Sequence, residues 1–389
     1  MKIAYVGPFS LSSSNANYLR VLGVSKSFVN AGHDVIICAG TKQPDTQKAV
    51  DGYSEIELVT TDEYAHGLLT QIPGIRGLFI GNSTIKWLDS LKVKPDVVLL
   101  YGTHFGYLCR LLKYCRKHSI RLIVDITEWY DPRHLPGGLL GPYAILNELS
   151  MRYIVPKVKE LFVISQFLEC YFSKKNCRTL RVPPLFESTN SKNISTSLPR
   201  TLTNFVYCGS PGKKESFDIL CEGLCRAAER NAQFRLHIIG LNESDFFRLL
   251  PSQITSKLFD GKHVSFYGKL LNSEARKIIA SCDFSLLLRK QKRFSQAGFP
   301  SKIPESMSLG TPVVTNYFSD LSLFLKHDSN SIIIKEHTAE SVAQAIIHAT
   351  SLGQNELQSL RLNAIQTAND HFSPQHYSQT INKFLFVNA

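Results

Sequence analysis

No apolar run in these 389 residues reaches the ~18–20 residues that a membrane-crossing helix requires, so any membrane contact is expected to be peripheral. Nothing at the start has the form of a leader. Met1-Lys2-Ile3-Ala4-Tyr5-Val6 passes straight into a strand pattern. The nine cysteines form no Cys-x-x-Cys pair and follow no regular spacing. Neither a zinc site nor a disulfide framework is expected, and scattered apolar thiols suit a reducing cytosol. The turn from Gly7 to Asn15 is serine-rich and is not Gly-x-Gly-x-x-Gly, which removes a dinucleotide fingerprint. There is no short internal repeat. Acidic residues are in deficit: 32 Asp and Glu against 44 Lys and Arg leave a net charge of +12 and a pI near 9.2. That balance suits nucleotide diphosphates, nucleic acid or an anionic membrane surface. The basic residues are dispersed and match no nucleic-acid-binding motif, so nucleic acid is not expected as a partner.

What is present is an alternation of short apolar strands with helices. Ile3–Val6, Asp34–Cys38, Val97–Leu100, Leu122–Val124 and Leu161–Ile164 read as strands, and Asn15–Asn30 as a helix with Gly32 past its end. This order predicts a parallel, Rossmann-like sheet. Ser188–Arg200 is polar, has no apolar period and reads as a linker. The pattern then restarts with strands at Asn204–Cys208, Arg235–Ile239, Val264–Tyr267, Phe284–Leu288, Pro312–Thr315 and Ser331–Ile334, and a helix at Phe217–Arg230. The expected organisation is a first α/β domain over 1–187, a linker over 188–200 and a second α/β domain over 201–373. The segment 374–389 is read as able to return to the first domain. Ligands in such folds lie beyond the carboxyl ends of the strands.

The most informative stretch is Ala297-Gly298-Phe299-Pro300-Ser301-Lys302-Ile303-Pro304-Glu305, continuing to Gly310 and Val314. A glycine turn at Gly298–Pro300 can turn backbone N–H groups toward a ligand. A helix starting near Ser301 has an amino end that attracts a diphosphate, and Lys302 lies in its first turn. Glu305 is a poor neighbour for a phosphate, and its expected task is to accept hydrogen bonds from ribose hydroxyls. Gly310 closes the helix. The alternative is an ordinary helix start with a solvated glutamate.

This segment resembles the signature of the family-4 retaining glycosyltransferases, in which two glutamates stand eight positions apart with Gly-Phe after the first. The second glutamate matches Glu305, whereas the first falls on Ala297. The wording Ala-Gly-Phe-Pro-Ser-Lys is similar to a subgroup of bacterial polysaccharide glycosyltransferases. The resemblance implies the GT-B fold: two Rossmann-like domains with parallel sheets facing across a cleft. It also implies that Gly209-Ser210-Pro211-Gly212-Lys213-Lys214, the first strand–helix turn of the second domain, binds the donor diphosphate. In the family an arginine and a lysine serve there; here Ser210 falls at the arginine position and Lys213 or Lys214 supplies the cation. Fixed cations stabilise the departing diphosphate, and removing one such contact costs about 2.7–4 kcal/mol.

Lys213, Lys214 and Glu305 are thus the catalytic candidates. Gly209, Ser210, Lys269, Leu270, Arg289, Gly298, Phe299, Pro300, Ser301 and Lys302 are the donor-binding ones. Lys269 and Leu270 follow Gly268 in a segment similar to the one that holds the nucleobase in the family. The rest of Arg289–Arg293 also reads as a solvated basic loop. On the acceptor side the candidates are Gly7, His104, Asp125 and Glu128, the last two forming an acid–aromatic cluster with Trp129 and Tyr130 suited to sugars. The same cluster also reads as an acid-rich helix start.

No Asp-x-Asp occurs, so a metal-bound diphosphate is not expected, and the donor, a UDP- or GDP-type nucleotide sugar, needs no further cofactor. The resemblance implies retention of configuration by same-face attack on the donor. The implied role is transfer of a sugar to a glycan or lipid-linked acceptor in surface polysaccharide synthesis, in the cytoplasm or at the inner face of the membrane. Two other classes remain open: a nucleotide-sugar epimerase of the same fold, and a non-catalytic nucleotide-sugar-binding module, which the missing glutamate at Ala297 makes credible.

Overall fold

Continuous apolar runs such as Val97–Tyr101, buried at every position, are what a parallel sheet covered on both faces demands. The computed structural model describes residues 1–12, 15–41, 49–50, 52–64, 76–189, 202–212, 214–250 and 264–386, and these form two compact units. One comprises Met1–Leu185, Gln296–Phe299 and Pro374–Ala389; the other comprises Phe186–Ser295 and Pro300–Ser373. The expected linker lies outside the described residues from 190 to 200.

The first unit contains β1 (Lys2–Gly7), β2 (Asp34–Ala39), β3 (Ala49–Val50), β4 (Tyr53–Thr60), β5 (Val97–Tyr101), β6 (Arg121–Ile126), β7 (Glu160–Val163) and β8 (Arg178–Arg181). Their order is β3-β4-β2-β1-β5-β6-β7-β8, parallel throughout except for the β3–β4 pair. The sequence reading did not name β3, β4 or β8. β8 reads Arg-Thr-Leu-Arg and is only half-buried along its length, so it has no apolar run to announce it. Helix Ala16–Asn30 is capped by the Asn15 side chain, which accepts from the Asn17 N–H. Helix Pro374–Phe386 belongs to this unit. Its Phe384 carbonyl accepts from Arg178 at 2.8 Å and from Arg121 at 3.1 Å, and the Arg178 guanidinium lies 4.2 Å from the Phe384 ring centre.

The second unit contains β9 (Thr203–Cys208), β10 (Phe234–Ile239), β11 (Val264–Phe266), β12 (Phe284–Leu287), β13 (Val313–Thr315) and β14 (Ser331–Ile333). All are parallel, in the order β11-β10-β9-β12-β13-β14. In chain order this is 3-2-1-4-5-6, the doubly wound arrangement, and its direction of winding reverses between β9 and β12. The corresponding reversal in the first unit lies between β1 and β5. Ligand crevices of open α/β sheets form at these points.

Candidate functional site

The reversal in the second unit is built around Glu215, which the sequence reading did not single out. Glu215 sits on the turn after β9 and forms an isolated bridge with Arg289, just past β12. Its side chain is 6% exposed, yet every oxygen is engaged. Lys302 Nζ donates to both at 2.9 and 3.0 Å, Arg289 donates at 3.1 Å, and the Tyr207 hydroxyl donates to Oε2. Burial alone would raise the pKa of Glu215, but the charges of Lys302 and Arg289 outweigh it and hold the carboxyl below its usual value. Burial, reinforced by the Glu215 charge, raises the Tyr207 pKa, so Tyr207 remains a donor. Two of the expected diphosphate-binding cations are therefore fixed by one buried counter-ion. Lys302 also lies 4.6 Å from the Tyr207 ring centre. Arg289 lies 5.6 Å from that of Phe318, and its Nε is buried without a partner among the described residues.

Glycine is required where Lys302 crosses the sheet end. Gly209 has φ of 120°, and a Cβ there would meet Lys302 Cε at 2.9 Å. Gly240, after β10, has φ of 99°, and its Cβ would meet the Gly209 backbone at 2.9 Å. Gly268, after β11, also has positive φ and accepts the Gly240 N–H. Three neighbouring strands are thus each followed by a glycine of positive φ, a backbone free of side chains. Ser210 Oγ reaches the Gly240 carbonyl at 3.4 Å.

The helix expected near Ser301 runs Lys302–Ser308. At two turns its dipole is modest, so the Lys302 charge dominates. Gly310 follows with φ of 76°. Glu305 accepts from Asn272 Nδ2 at 3.3 Å and lies 3.5 Å from Arg276, both on helix Asn272–Ser281. It is 14% exposed. Burial, then the Glu305 charge, push the neighbouring Cys208 thiol up to about 11, which keeps it protonated. Lys269 is exposed, whereas the Leu270 side chain packs into a small core with Val206 and Ile279. Lys213 lies outside the described residues, and Lys214 is half-buried on the same turn. Lys290 and Lys292, the rest of the basic loop, line a separate recess with Lys335.

Gly298 and Phe299 fall in the first unit, and Pro300 and Ser301 in the second. Phe299 and Pro300 are buried and Ser301 is half-buried. Ala297 is fully buried, and its carbonyl accepts from Ser165 Oγ at 3.1 Å within the first unit.

At the β1–β5 reversal of the first unit lies a pocket of about 170 Å³ whose walls include Pro8, Tyr101, His104, Glu128, Tyr130 and Tyr143. It brings together two of the four acceptor-side candidates, His104 and Glu128. Gly7 is not among its lining residues. A Cβ there would meet Tyr101 Cβ at 2.9 Å, so the glycine is explained by packing. Asp125 does not face a ligand and is corrected to a structural role. It is fully buried, bound by Arg20 at 2.8 and 3.1 Å and by the Tyr5 hydroxyl at 2.5 Å. Arg20 continues to the Val182 carbonyl at 2.7 Å, tying β1, β6 and the first helix to the segment after β8. Trp129 is likewise no sugar platform. It is 2% exposed, and its indole donates to Glu148 at 2.9 Å.

Among the described residues, one group has donor atoms close enough to hold a metal ion: His327, Asp328 and His348, within 4.8 Å of one another. They occupy a turn before β14 and helix Ala339–Ser351, elements that carry none of the residues above.

Residues 203–351 match the family described as Glycosyl transferases group 1. The segment is similar to that family over this span. It begins with β9 and contains the Glu215, Lys302 and Glu305 constellation. No curated protein sequence matches the chain. Among solved structures, sucrose-phosphate synthase of Thermosynechococcus elongatus is 13% identical with a TM-score of 0.70, over 99% of this chain and 98% of that one. HepE of Anabaena, in complex with UDP-glucose, is 15% identical with a TM-score of 0.65 over 99% of both chains. WaaB, a lipopolysaccharide outer core galactosyltransferase, is 16% identical with a TM-score of 0.65, also over 99% of both. At these identities the likeness is one of fold, and the fold is that of the GT-B glycosyltransferases, two Rossmann-like units.

Proposed function

We propose that this protein is a retaining glycosyltransferase of the family-4 kind, moving a hexose from a UDP- or GDP-type sugar to a glycan or lipid-linked acceptor in surface polysaccharide synthesis. The observation that carries this reading is the convergence of Lys302 and Arg289 on Glu215, at the sheet reversal, beside three glycine-terminated strands. In this reading Lys213, Lys214, Arg289 and Lys302 neutralise the donor diphosphate, so no metal is needed. Glu305 accepts from ribose hydroxyls, and the backbone at Lys269 and Leu270 holds the base. Gly209, Ser210 and the Gly298–Ser301 turn offer close-approach backbone. The first-unit pocket with His104 and Glu128 takes the acceptor. The bond from the sugar C1 to the phosphate oxygen breaks, and the acceptor oxygen attacks the same face of C1 and passes its proton to the departing phosphate. Fixed cations act on charge that grows in that transition state. HepE, of the same fold, holds UDP-glucose, which supports a nucleotide sugar as donor. The work would be done in the cytoplasm, against the inner face of the membrane.

The test is a donor screen reading UDP or GDP release, run alongside Glu305→Gln. The variant is expected to lose binding or transfer by roughly tenfold or more, the size of a lost charged hydrogen bond. Unchanged binding and turnover would remove Glu305 from the site. A second reading, a non-catalytic binding module, is favoured by Ala297, where the family has a carboxylate. Nucleotide held without any transfer across a broad donor and acceptor panel would select it.

A further inference from the structure

The connection from β6 to β7 exposes apolar side chains that a closed core would have covered. A short turn at Gly138–Leu140 leads into helix Pro142–Leu149. The helical course continues through a wider turn at Ser150–Ile154 and a tight one at Val155–Lys157. One side is core: Ala144, Met151 and Val155 are 1% exposed or less. A second side, Tyr143, Leu146 and Asn147, lines the first-unit pocket. A third side is bare. Ile145, Leu149 and Tyr153 follow one another at four-residue spacing with exposures of 47%, 39% and 62%, and Leu139 and Leu140 beside them reach 65% and 87%. Single exposed leucines are ordinary, but five large apolar side chains on one short course form a patch that calls for a partner.

The surroundings say which partner. Helix Phe105–Lys117 packs beside this course and carries Arg110, Lys113, Arg116 and Lys117 with no acidic residue. Arg116 joins the two by donating to the Lys157 carbonyl at 3.3 Å. Lys113, Arg116, Lys117 and Lys157 are all exposed. Leucine and tyrosine side chains flanked by cations match a bilayer whose headgroups are anionic: the apolar groups enter the acyl boundary while the cations meet lipid phosphates. We infer that the Leu139–Tyr153 ridge docks this protein on an anionic lipid surface, with Lys113, Arg116, Lys117 and Lys157 as its electrostatic rim. Because Tyr143 and Leu146 belong to both the ridge course and the pocket wall, docking would bring the pocket mouth to the headgroup layer, where a lipid-linked acceptor presents its sugar. That last use rests on the proposed transfer activity; the docking itself does not.

The experiment is co-sedimentation of the full chain with phosphatidylcholine vesicles and with vesicles that also contain phosphatidylglycerol. Wild-type protein is expected to sediment with the anionic vesicles only, and less as salt is raised. A cation near an anionic surface multiplies binding by roughly fivefold, so Lys113→Gln with Lys117→Gln should weaken binding about 25-fold. Leu139→Ser with Leu140→Ser should weaken it by at least roughly tenfold. Leu249→Ser, at a leucine of the second unit that is 50% exposed, should change nothing. Thermal unfolding of each variant confirms that it folds. Equal sedimentation with both vesicle types, none with either, or unaltered binding by the leucine pair would each overturn the inference; a protein ligand for the ridge would be the reading left. Vesicle binding without sugar transfer to any acceptor would sink the proposed function and leave the docking standing.

Discussion

Neutralising Glu215 is the perturbation that most directly tests how the second unit holds its cations. In Glu215→Gln the shape is kept and the charge is lost. Lys302 and Arg289, 24% and 15% exposed, are left as two close cations without their counter-ion. Removing one partner of a buried ion pair costs about 3–5 kcal/mol, and the partial exposure of Lys302 places the expected loss near the lower end. For a unit of this size, about 3 kcal/mol corresponds to a Tm lowered by roughly 6–12 °C, read by calorimetry at neutral pH. The charges of Lys302 and Arg289 hold the folded-state pKa of Glu215 below the ordinary glutamate value of 4.5. Its stabilisation is therefore complete above that pH and is lost as the pH falls through the lower folded-state value. The gap between wild type and variant should stay constant above about pH 5.5 and close below 4.5. Pyrophosphate supplies the second readout. Without a competing carboxylate it should bind the variant at least as tightly as wild type, and at about a hundred times its Kd it restores about 2.7 kcal/mol. A Tm change under about 3 °C, or a gap that widens in acid, would refute the reasoning.

The other expectations can be checked in parallel. Gly209→Ala introduces a Cβ that would meet Lys302 Cε at 2.9 Å at a φ of 120°, so pyrophosphate affinity measured by calorimetry should fall sharply, whereas Gly212→Ala, with open space around it, should be neutral. Replacing Lys213 and Lys214 together with alanine should lower kcat more than it raises KM, because the diphosphate charge grows toward the transition state; an effect confined to KM would make them ground-state contacts only. Asp125→Asn strips the counter-ion from buried Arg20 and should destabilise the first unit by about 3–5 kcal/mol in denaturant titration. A loss below about 1 kcal/mol would show that the carbonyls of Val182 and Pro183 suffice for Arg20.

Local pattern alone determined the alternation of strands and helices, the restart after the polar stretch ending at Arg200, and the helix carrying Lys302 and Glu305. These features depend on apolar period, glycine stops and neighbouring residues, all of which lie within a few positions of one another. The edge strand β8 was invisible because its four residues pack on one neighbour and need no apolar run. The site partners were decided by tertiary structure. Glu215 meets Lys302 across 87 residues, and Asp125 meets Arg20 across 105. Such pairs exist because the sheet order sets β9 beside β12 and runs β1, β5 and β6 side by side, and no local spacing encodes that order. Local pattern marked Asp125 and Glu305 as ligand-facing and passed over Glu215. Folding made Asp125 a buried brace, Glu215 a counter-ion for two cations and Glu305 a partner of Asn272 and Arg276, because burial and the nearest charges, rather than residue type, fix what a carboxylate can do.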